Sequence, residues 1–222
     1  MKKGFTLIEV LLTLSILGVI AAITIPMLNA NITKKETETS FARTVSLFEN
    51  ANTLLMNEKD VPNLDEAVGT EVGKIGDDES LKYIETIADY LNFRSGINNK
   101  TTSYTDFSYA NEIANFPEND TNLYISESGS LAMFPMEDEE SEEFYLIYID
   151  LNGVSKKPNA LGRDVQAFSI NRSTGKVYGA GSTRGGWKAG ESENLCSSNV
   201  EGAGEFCAGS IMDNDGKITY KW

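Results

Sequence analysis

The chain has 222 residues with 19 basic and 33 acidic side chains, which give a formal net charge of −14. A chain of this charge repels phosphate backbones, so the composition argues against nucleic acid as a partner. The sequence contains no histidine, which removes the most common general base and the most common zinc ligand.

The first 28 residues are the most distinctive stretch of the chain. Two lysines precede Gly4, and residues 5–28 are predominantly apolar with Glu9 as their single charge. Twenty-four helical residues rise about 36 Å, which is enough to cross the hydrocarbon core of a bilayer. The run continues through Pro26 into polar sequence and lacks the small-residue cleavage pattern of a secretory signal peptide. Lysines on the short amino-terminal side predict a single-pass topology with the rest of the chain outside the cytoplasm.

This stretch also carries a family resemblance. The segment Gly4-Phe5-Thr6-Leu7-Ile8-Glu9-Val10 resembles the processing site of type IV prepilins and type II secretion pseudopilins. The resemblance implies that a prepilin peptidase cleaves between Gly4 and Phe5, and that the new amino terminus of Phe5 is methylated. It also implies an assembly role for Glu9, which in a filament faces the amino terminus of a neighbouring subunit. A buried carboxylate repays its desolvation only by pairing with a cation. The alternative is a plain membrane anchor.

The helical pattern continues beyond Leu28 in amphipathic form. Apolar residues recur every three or four positions at Phe41, Val45, Phe48, Ala51 and Leu55. This spacing predicts one long helix whose second half packs on a globular head. Gly18 and Pro26 predict a bend or local unwinding in the first half, or a simple kink.

The rest of the chain changes from helical to strand patterns. Residues 59–120 have no single pattern, although 79–93 and 106–116 read as helices. Strand patterns then dominate, at 123–126, 131–134, 144–150, 165–170, 176–178 and, at an edge, 217–220. The connections between these segments are short, which favours antiparallel pairing.

These patterns together predict an α+β, pilin-like fold, in which a long amino-terminal helix packs on an antiparallel β-sheet head. The predicted boundaries are 1–4 for the prepilin leader, 5–28 for the transmembrane and filament-core helix, 29–58 for the amphipathic half of the same helix, 59–120 for a variable helical and loop region, and 121–222 for the sheet and a disulfide loop.

The disulfide is predicted between Cys196 and Cys207, the two cysteines of the chain. An even pair at short spacing in an exported domain is typical of a structural disulfide. Two thiols without histidine do not complete a metal site, and the spacing is not that of a Cys-x-x-Cys redox motif.

The segment 150–164 has two interpretations. Asp150, Asn152 and Asp164 offer oxygen ligands of the kind that calcium binds. The family resemblance adds to this interpretation, because type II secretion pseudopilins are known for calcium in their carboxyl-terminal loops. Tight turns use the same residue types, and the segment also resembles a block of pilin-like type II secretion proteins that indicates a shared turn structure. Apart from this possible calcium ion, we expect no cofactor.

Two classes of function are compatible with the sequence. No catalytic motif or nucleophile–base pair is evident, so we expect no enzymatic activity. A filament subunit would have prepilin peptidase, other pilin or pseudopilin subunits and an inner-membrane assembly platform as partners. It would reside in the bacterial inner membrane and then in a pilus or periplasmic pseudopilus.

The other class is a membrane-anchored binding module that is not a filament subunit. The sequence leaves open the choice between pilin and pseudopilin and between major and minor subunit.

Overall fold

In the computed structural model, residues 6–70, 77–98, 105–106, 122–136, 141–191, 196 and 203–220 are described. The helices of this part are α1 (Leu7–Lys59), α2 (Leu64–Val68), α3 (Asp77–Leu91) and α4 (Cys207–Asp213), the last preceded by a 3-10 turn at Ala203–Phe206. Its strands are β1 (Phe93–Asn98), β2 (Thr105–Asp106), β3 (Asn122–Ser126), β4 (Ala132–Pro135), β5 (Phe144–Asp150), β6 (Ala160–Leu161), β7 (Val165–Asn171) and β8 (Val177–Gly179). The chain divides into two compact units, Met1–Glu36 and Thr37–Trp222.

In the first unit, α1 is helical through both Gly18 and Pro26. The large apolar side chains between Leu7 and Leu28 are 42–78 % exposed. Among the described helices, α1 is the one that is long and apolar enough to cross a membrane, judged by length and composition.

In the second unit, the remaining part of α1 contributes the predicted apolar face to the core. Phe41, Phe48 and Leu55 are almost fully buried there. The buried Asn52 ties α1 to two other elements, because its Nδ2 donates to Gly175 O (2.8 Å) and its Oδ1 accepts from the Tyr83 hydroxyl (3.0 Å). The amphipathic pattern therefore predicted this half of the helix correctly.

The sheet has the strand order β1-β3-β4-β5-β7-β6-β2, with β8 paired to β7. The apolar strand β5 lies in the middle, as its sequence predicts, and pairs with β7 over its full length from Phe144↔Asn171 to Asp150↔Val165. The strands that the sequence predicts and the structure contains pair antiparallel with one another. The short strands β2 and β6, which were not predicted, add two parallel pairs.

Both faces of the sheet are covered, which explains the unbroken apolar run of β5. Tyr145, Ile147 and Ile149 face a core that includes α1 and α3 residues, whereas Leu146 and Tyr148 face a second core. The second core contains Trp187, which is 7 % exposed and stacks on Phe206 at a centroid distance of 5.8 Å.

Three local predictions differ from the structure. Residues 217–220 form no strand; their backbone meets α1 instead, where Ile218 N donates to Glu38 Oε1 at 3.0 Å. The predicted glycine-rich loop around the disulfide contains α4, whose Gly209 packs so closely that an ideal Cβ would lie 2.4 Å from Ala180 O. A helix was predicted at 106–116, but residue 106 is the last residue of strand β2. Residues 107–116 lie outside the described residues.

Candidate functional site

The described part of the candidate processing and assembly segment begins at Thr6. Glu9 Oε2 accepts hydrogen bonds from the N–H and the hydroxyl of Thr6, each at 2.8 Å, and Glu9 N donates to Thr6 Oγ1 at 3.3 Å. This reciprocal arrangement is a capping box, which satisfies free donors at the start of α1. Gly4 and Phe5, the predicted processing and N-methylation residues, lie outside the described residues. The capping groups belong to Thr6 and Glu9, so cleavage between Gly4 and Phe5 would leave them in the chain.

The surface that follows Glu9 suits a lipid or protein environment better than water. The hydroxyls of Thr13, Ser15 and Thr24 donate to carbonyl oxygens three or four residues earlier at 2.8–2.9 Å. Polar groups in hydrocarbon need such internal partners, because no water is present to bind them. The segment therefore combines an exposed apolar surface with hydroxyls that are hydrogen-bonded within the helix. Glu9 differs from these hydroxyls because it carries a charge.

The charge of Glu9 has no cationic partner within the described residues. Its carboxylate is held by Thr6 alone, and no ion pair joins it to another described side chain. A carboxylate in an apolar helix is costly without a cation. Within the described residues, the carboxylate of Glu9 is therefore a charge that only the Thr6 hydrogen bonds stabilise.

The three calcium candidates lie together in the loop between β5 and β7. Asp150 Oδ1 accepts from Asn152 N (3.1 Å) and Gly153 N (2.8 Å). Asp164 Oδ2 accepts from Asn159 N (2.8 Å) and Asn152 Nδ2 (3.2 Å). Burial raises the pKa of the Asp164 carboxyl, and the hydrogen bonds from backbone amides oppose that shift.

This donor set fits a turn better than a calcium ion. Asp150 Oδ1 and both carboxylate oxygens of Asp164 already accept N–H groups, whose positive ends occupy positions that a cation would take. The amide oxygens of Asn152 and Asn159 are buried without a hydrogen-bond partner in the described part of the chain, and ordered water is the usual partner of such atoms. In the same part of the chain, no group of three or more acidic, cysteine or histidine side chains is placed to hold a metal. We therefore favour the tight turn of the two interpretations.

Two glycines of the same loop are required by close packing. Gly153 (φ +82°) lies against the β3–β4 hairpin, where an ideal Cβ would be 1.9 Å from Gly129 O. Gly162 (φ +81°) lies against the disulfide, where an ideal Cβ would be 3.1 Å from Cys207 Sγ. Both positive φ values also favour glycine. The motif in 150–164 therefore encodes a packed turn.

The predicted disulfide between Cys196 and Cys207 is present, with a Cα–Cα distance of 4.7 Å. It joins α4 to the loop before it, and both cysteines are buried. The Tyr220 hydroxyl donates to Gly162 O at 2.7 Å, so the carboxyl-terminal segment packs on the loop between β5 and β7.

Replacing Cys196 by serine is expected to lower the free energy of unfolding by roughly 3 kcal/mol, because the short loop is no longer closed in the unfolded chain. Thermal unfolding of the full chain in detergent measures this effect. A reductant should lower the Tm of the wild type towards that of the variant and leave the variant unchanged. An unchanged Tm in the variant would contradict a stabilising role.

A buried ionic network in the head was not predicted from the sequence. Arg172, whose side chain is 3 % exposed, donates from Nε to Asp65 Oδ1 (2.7 Å) and lies 3.5 Å from Glu79 Oε2. Its guanidinium also lies over the ring of Tyr145, whose hydroxyl donates to Asp65 Oδ1 at 2.6 Å. The network joins α2 and α3 to β5 and the turn after β7. The guanidinium of Arg172 is almost fully buried within it, which indicates a structural role.

Comparison with known proteins gives one match. Residues 1–25 match the family model described as the prokaryotic N-terminal methylation motif. This motif is the signature of type IV pilins and type II secretion pseudopilins, and the chain carries it on the capped apolar helix described above. No curated protein and no solved structure matches the chain significantly.

Proposed function

We propose that this chain is the precursor of a structural subunit of a type IV pilus or a type II secretion pseudopilus. The observation that carries the proposal is the methylation motif of residues 1–25, which leads into the exposed apolar segment of α1 and contains the Thr6–Glu9 capping box. A prepilin peptidase cleaves after Gly4 and methylates Phe5. The subunit then enters a filament through its amino-terminal helix, without enzymatic activity of its own.

The proposed location follows from the same segment. The chain is inserted in the bacterial inner membrane with a single span, and the head lies outside the cytoplasm. From there an inner-membrane assembly platform transfers it to a pilus or a periplasmic pseudopilus, where its neighbours are other pilin or pseudopilin subunits. In the filament, Glu9 pairs with the methylated amino terminus of the adjacent subunit.

The head supports a structural role for the chain. Of the large apolar side chains that are exposed, Leu54 is the one in the described part of the second unit, whereas those of the first unit follow one another along α1. Apolar surface that is exposed in one continuous stretch marks an interaction with a membrane or a protein. Association is therefore assigned to the apolar stretch of α1.

Mass spectrometry of the amino-terminal peptide tests the proposal. Sheared surface fibres and the membrane fraction of the native host are compared, with a Gly4→Val variant as the control that blocks processing. A peptide that starts at methylated Phe5 and is abundant in fibres indicates a pilin. The same peptide confined to membranes indicates a pseudopilin or a scarce minor subunit. An intact amino terminus in every fraction of the wild type would overturn the proposal and favour a membrane-anchored binding module.

A further inference from the structure

The loop between β5 and β7 contains the single Asn-Gly pair of the sequence, Asn152-Gly153. This dipeptide is the most reactive one in asparagine deamidation, because glycine has no Cβ to obstruct ring closure. The backbone nitrogen of the glycine loses its proton and attacks Cγ of the asparagine. The side-chain nitrogen leaves as ammonia and a succinimide forms, which water opens to aspartate or isoaspartate. The net reaction consumes one water and releases one ammonia, with no change in oxidation state.

In the folded head, each nitrogen of this reaction is engaged by a carboxylate. The attacking nitrogen, Gly153 N, donates its hydrogen to Asp150 Oδ1 at 2.8 Å. The leaving nitrogen, Asn152 Nδ2, donates to Asp164 Oδ2 at 3.2 Å. Removal of the Gly153 proton would create an anion beside Asp150, and two like charges at this distance repel each other. The hydrogen bond to Asp150 therefore opposes the first step of the reaction, and departure of Nδ2 would break the hydrogen bond to Asp164.

The surrounding packing also restricts movement of the two reacting groups. Gly153 is buried, and its position against Gly129 O leaves no room even for a methyl group. Asp150 and Asp164 are fully buried as well. Ring closure joins Gly153 N to Cγ of Asn152, and the packing around Gly153 opposes the movement of its backbone.

We propose that Asn152-Gly153 is a latent modification site, which Asp150 and Asp164 keep from deamidating as long as the head is folded. Once the reaction has occurred, the loop no longer fits its surroundings. A carboxylate at position 152 would replace the donor to Asp164 Oδ2 with a like charge. Its second oxygen would take the place of Asn152 Oδ1, which has no hydrogen-bond partner within the described residues. Deamidation would therefore destabilise the turn and mark heads that have opened at least once.

The rate of deamidation in the native and the unfolded protein tests the proposal. The full chain in detergent is incubated in mildly alkaline buffer with and without guanidinium chloride, and peptide mapping by mass spectrometry follows the conversion of Asn152. The expected native rate is lower by about tenfold or more, since the loop must first open. Equal rates in the two conditions would overturn the proposal.

A pair of variants separates the local effect from general loss of stability. Asp150→Asn removes the charge that holds Gly153 N and is expected to raise the native rate at Asn152 severalfold. Asp213→Asn is the matched control, because Asp213 also accepts a loop amide, from Thr183 N at 2.9 Å, but outside this turn. The control is expected to leave the native rate close to that of the wild type. A similar rise in both variants would show that stability alone controls the reaction and would overturn the role of Asp150.

The consequence of the reaction is tested with substitutions at the same position. Asn152→Asp is expected to lower the Tm of the full chain further than Asn152→Ala, because the alanine removes the hydrogen bond without adding a charge. An Asn152→Asp variant as stable as Asn152→Ala would contradict the proposed clash with Asp164.

Discussion

Replacing Arg172 by alanine is expected to lower the free energy of unfolding by about 3–5 kcal/mol, the cost of removing one partner from a buried ion pair. The variant leaves the carboxylate of Asp65 buried without its cation and removes the only described cation beside Glu79 Oε2, which accepts no hydrogen bond from the described residues. It also removes the guanidinium from the ring of Tyr145. A loss of this size is a large share of the stability of an ordinary domain.

Denaturant unfolding of the full chain in detergent measures the effect, and an exposed ion pair provides the control. Arg184 and Asp215 form an equally short contact of 2.6 Å, but their side chains are 50 % and 88 % exposed. Arg184→Ala is therefore expected to cost less than about 1 kcal/mol. Arg172→Lys keeps the charge but not the planar geometry, so its loss should lie between the two. If Arg172→Ala were no more harmful than Arg184→Ala, the network would not stabilise the head.

Replacing Glu9 by alanine is expected to reduce incorporation into filaments by tenfold or more, since truncating one partner of a buried charge pair costs about 2–5 kcal/mol. The protein should still insert in the membrane, because the substitution removes a charge from an apolar helix. The ratio of subunit in sheared fibres to subunit in the membrane, in the native host, measures incorporation. Normal incorporation of the variant would refute the assembly role of this carboxylate.

Two further variants separate the charge of Glu9 from its contribution to the helix cap. Glu9→Gln retains an oxygen that can accept from Thr6 N but has no charge, so it should fail in assembly as Glu9→Ala does. Thr6→Ala removes the capping hydroxyl but keeps the carboxylate, and it should assemble nearly normally. The opposite pattern, with Thr6→Ala defective and Glu9→Gln normal, would assign the effect to the cap.

The elements that the sequence predicted are those with a local pattern. The apolar spacing from Phe41 to Leu55 and the continuous apolar run of β5 each depend on burial of one face or of both faces, so periodicity reveals them. The turn at 150–164 was visible in its residue types. The N–H groups that reach Asp164 were not, because the folded loop brings the amides of Asn159 and Ala160 to this carboxylate.

What the sequence did not predict depends on contacts between distant residues. Arg172 stands in a polar turn sequence, which predicts an exposed side chain. In the structure it is buried, because it pairs with Asp65, more than a hundred residues earlier. Helix α4 is too short and too rich in small residues to show a periodic apolar pattern. Its Gly209 packs against the backbone of Ala180, a contact between distant residues that the sequence does not reveal. The capping box of Thr6 and Glu9 is different, because Thr-x-x-Glu before an apolar run is a local sequence signature of a helix start.

The outer edge of β8 limits the ways in which copies of the head can associate. Val177 N donates to Glu49 Oε1 of α1 at 3.3 Å, and Gly179 N donates to Met212 Sδ of α4 at 3.5 Å. A free strand edge is a template on which another chain can add a strand. Here helix side chains already occupy these backbone donors. The folded head therefore opposes growth by adding strands at β8, the route that leads to amyloid-like aggregates.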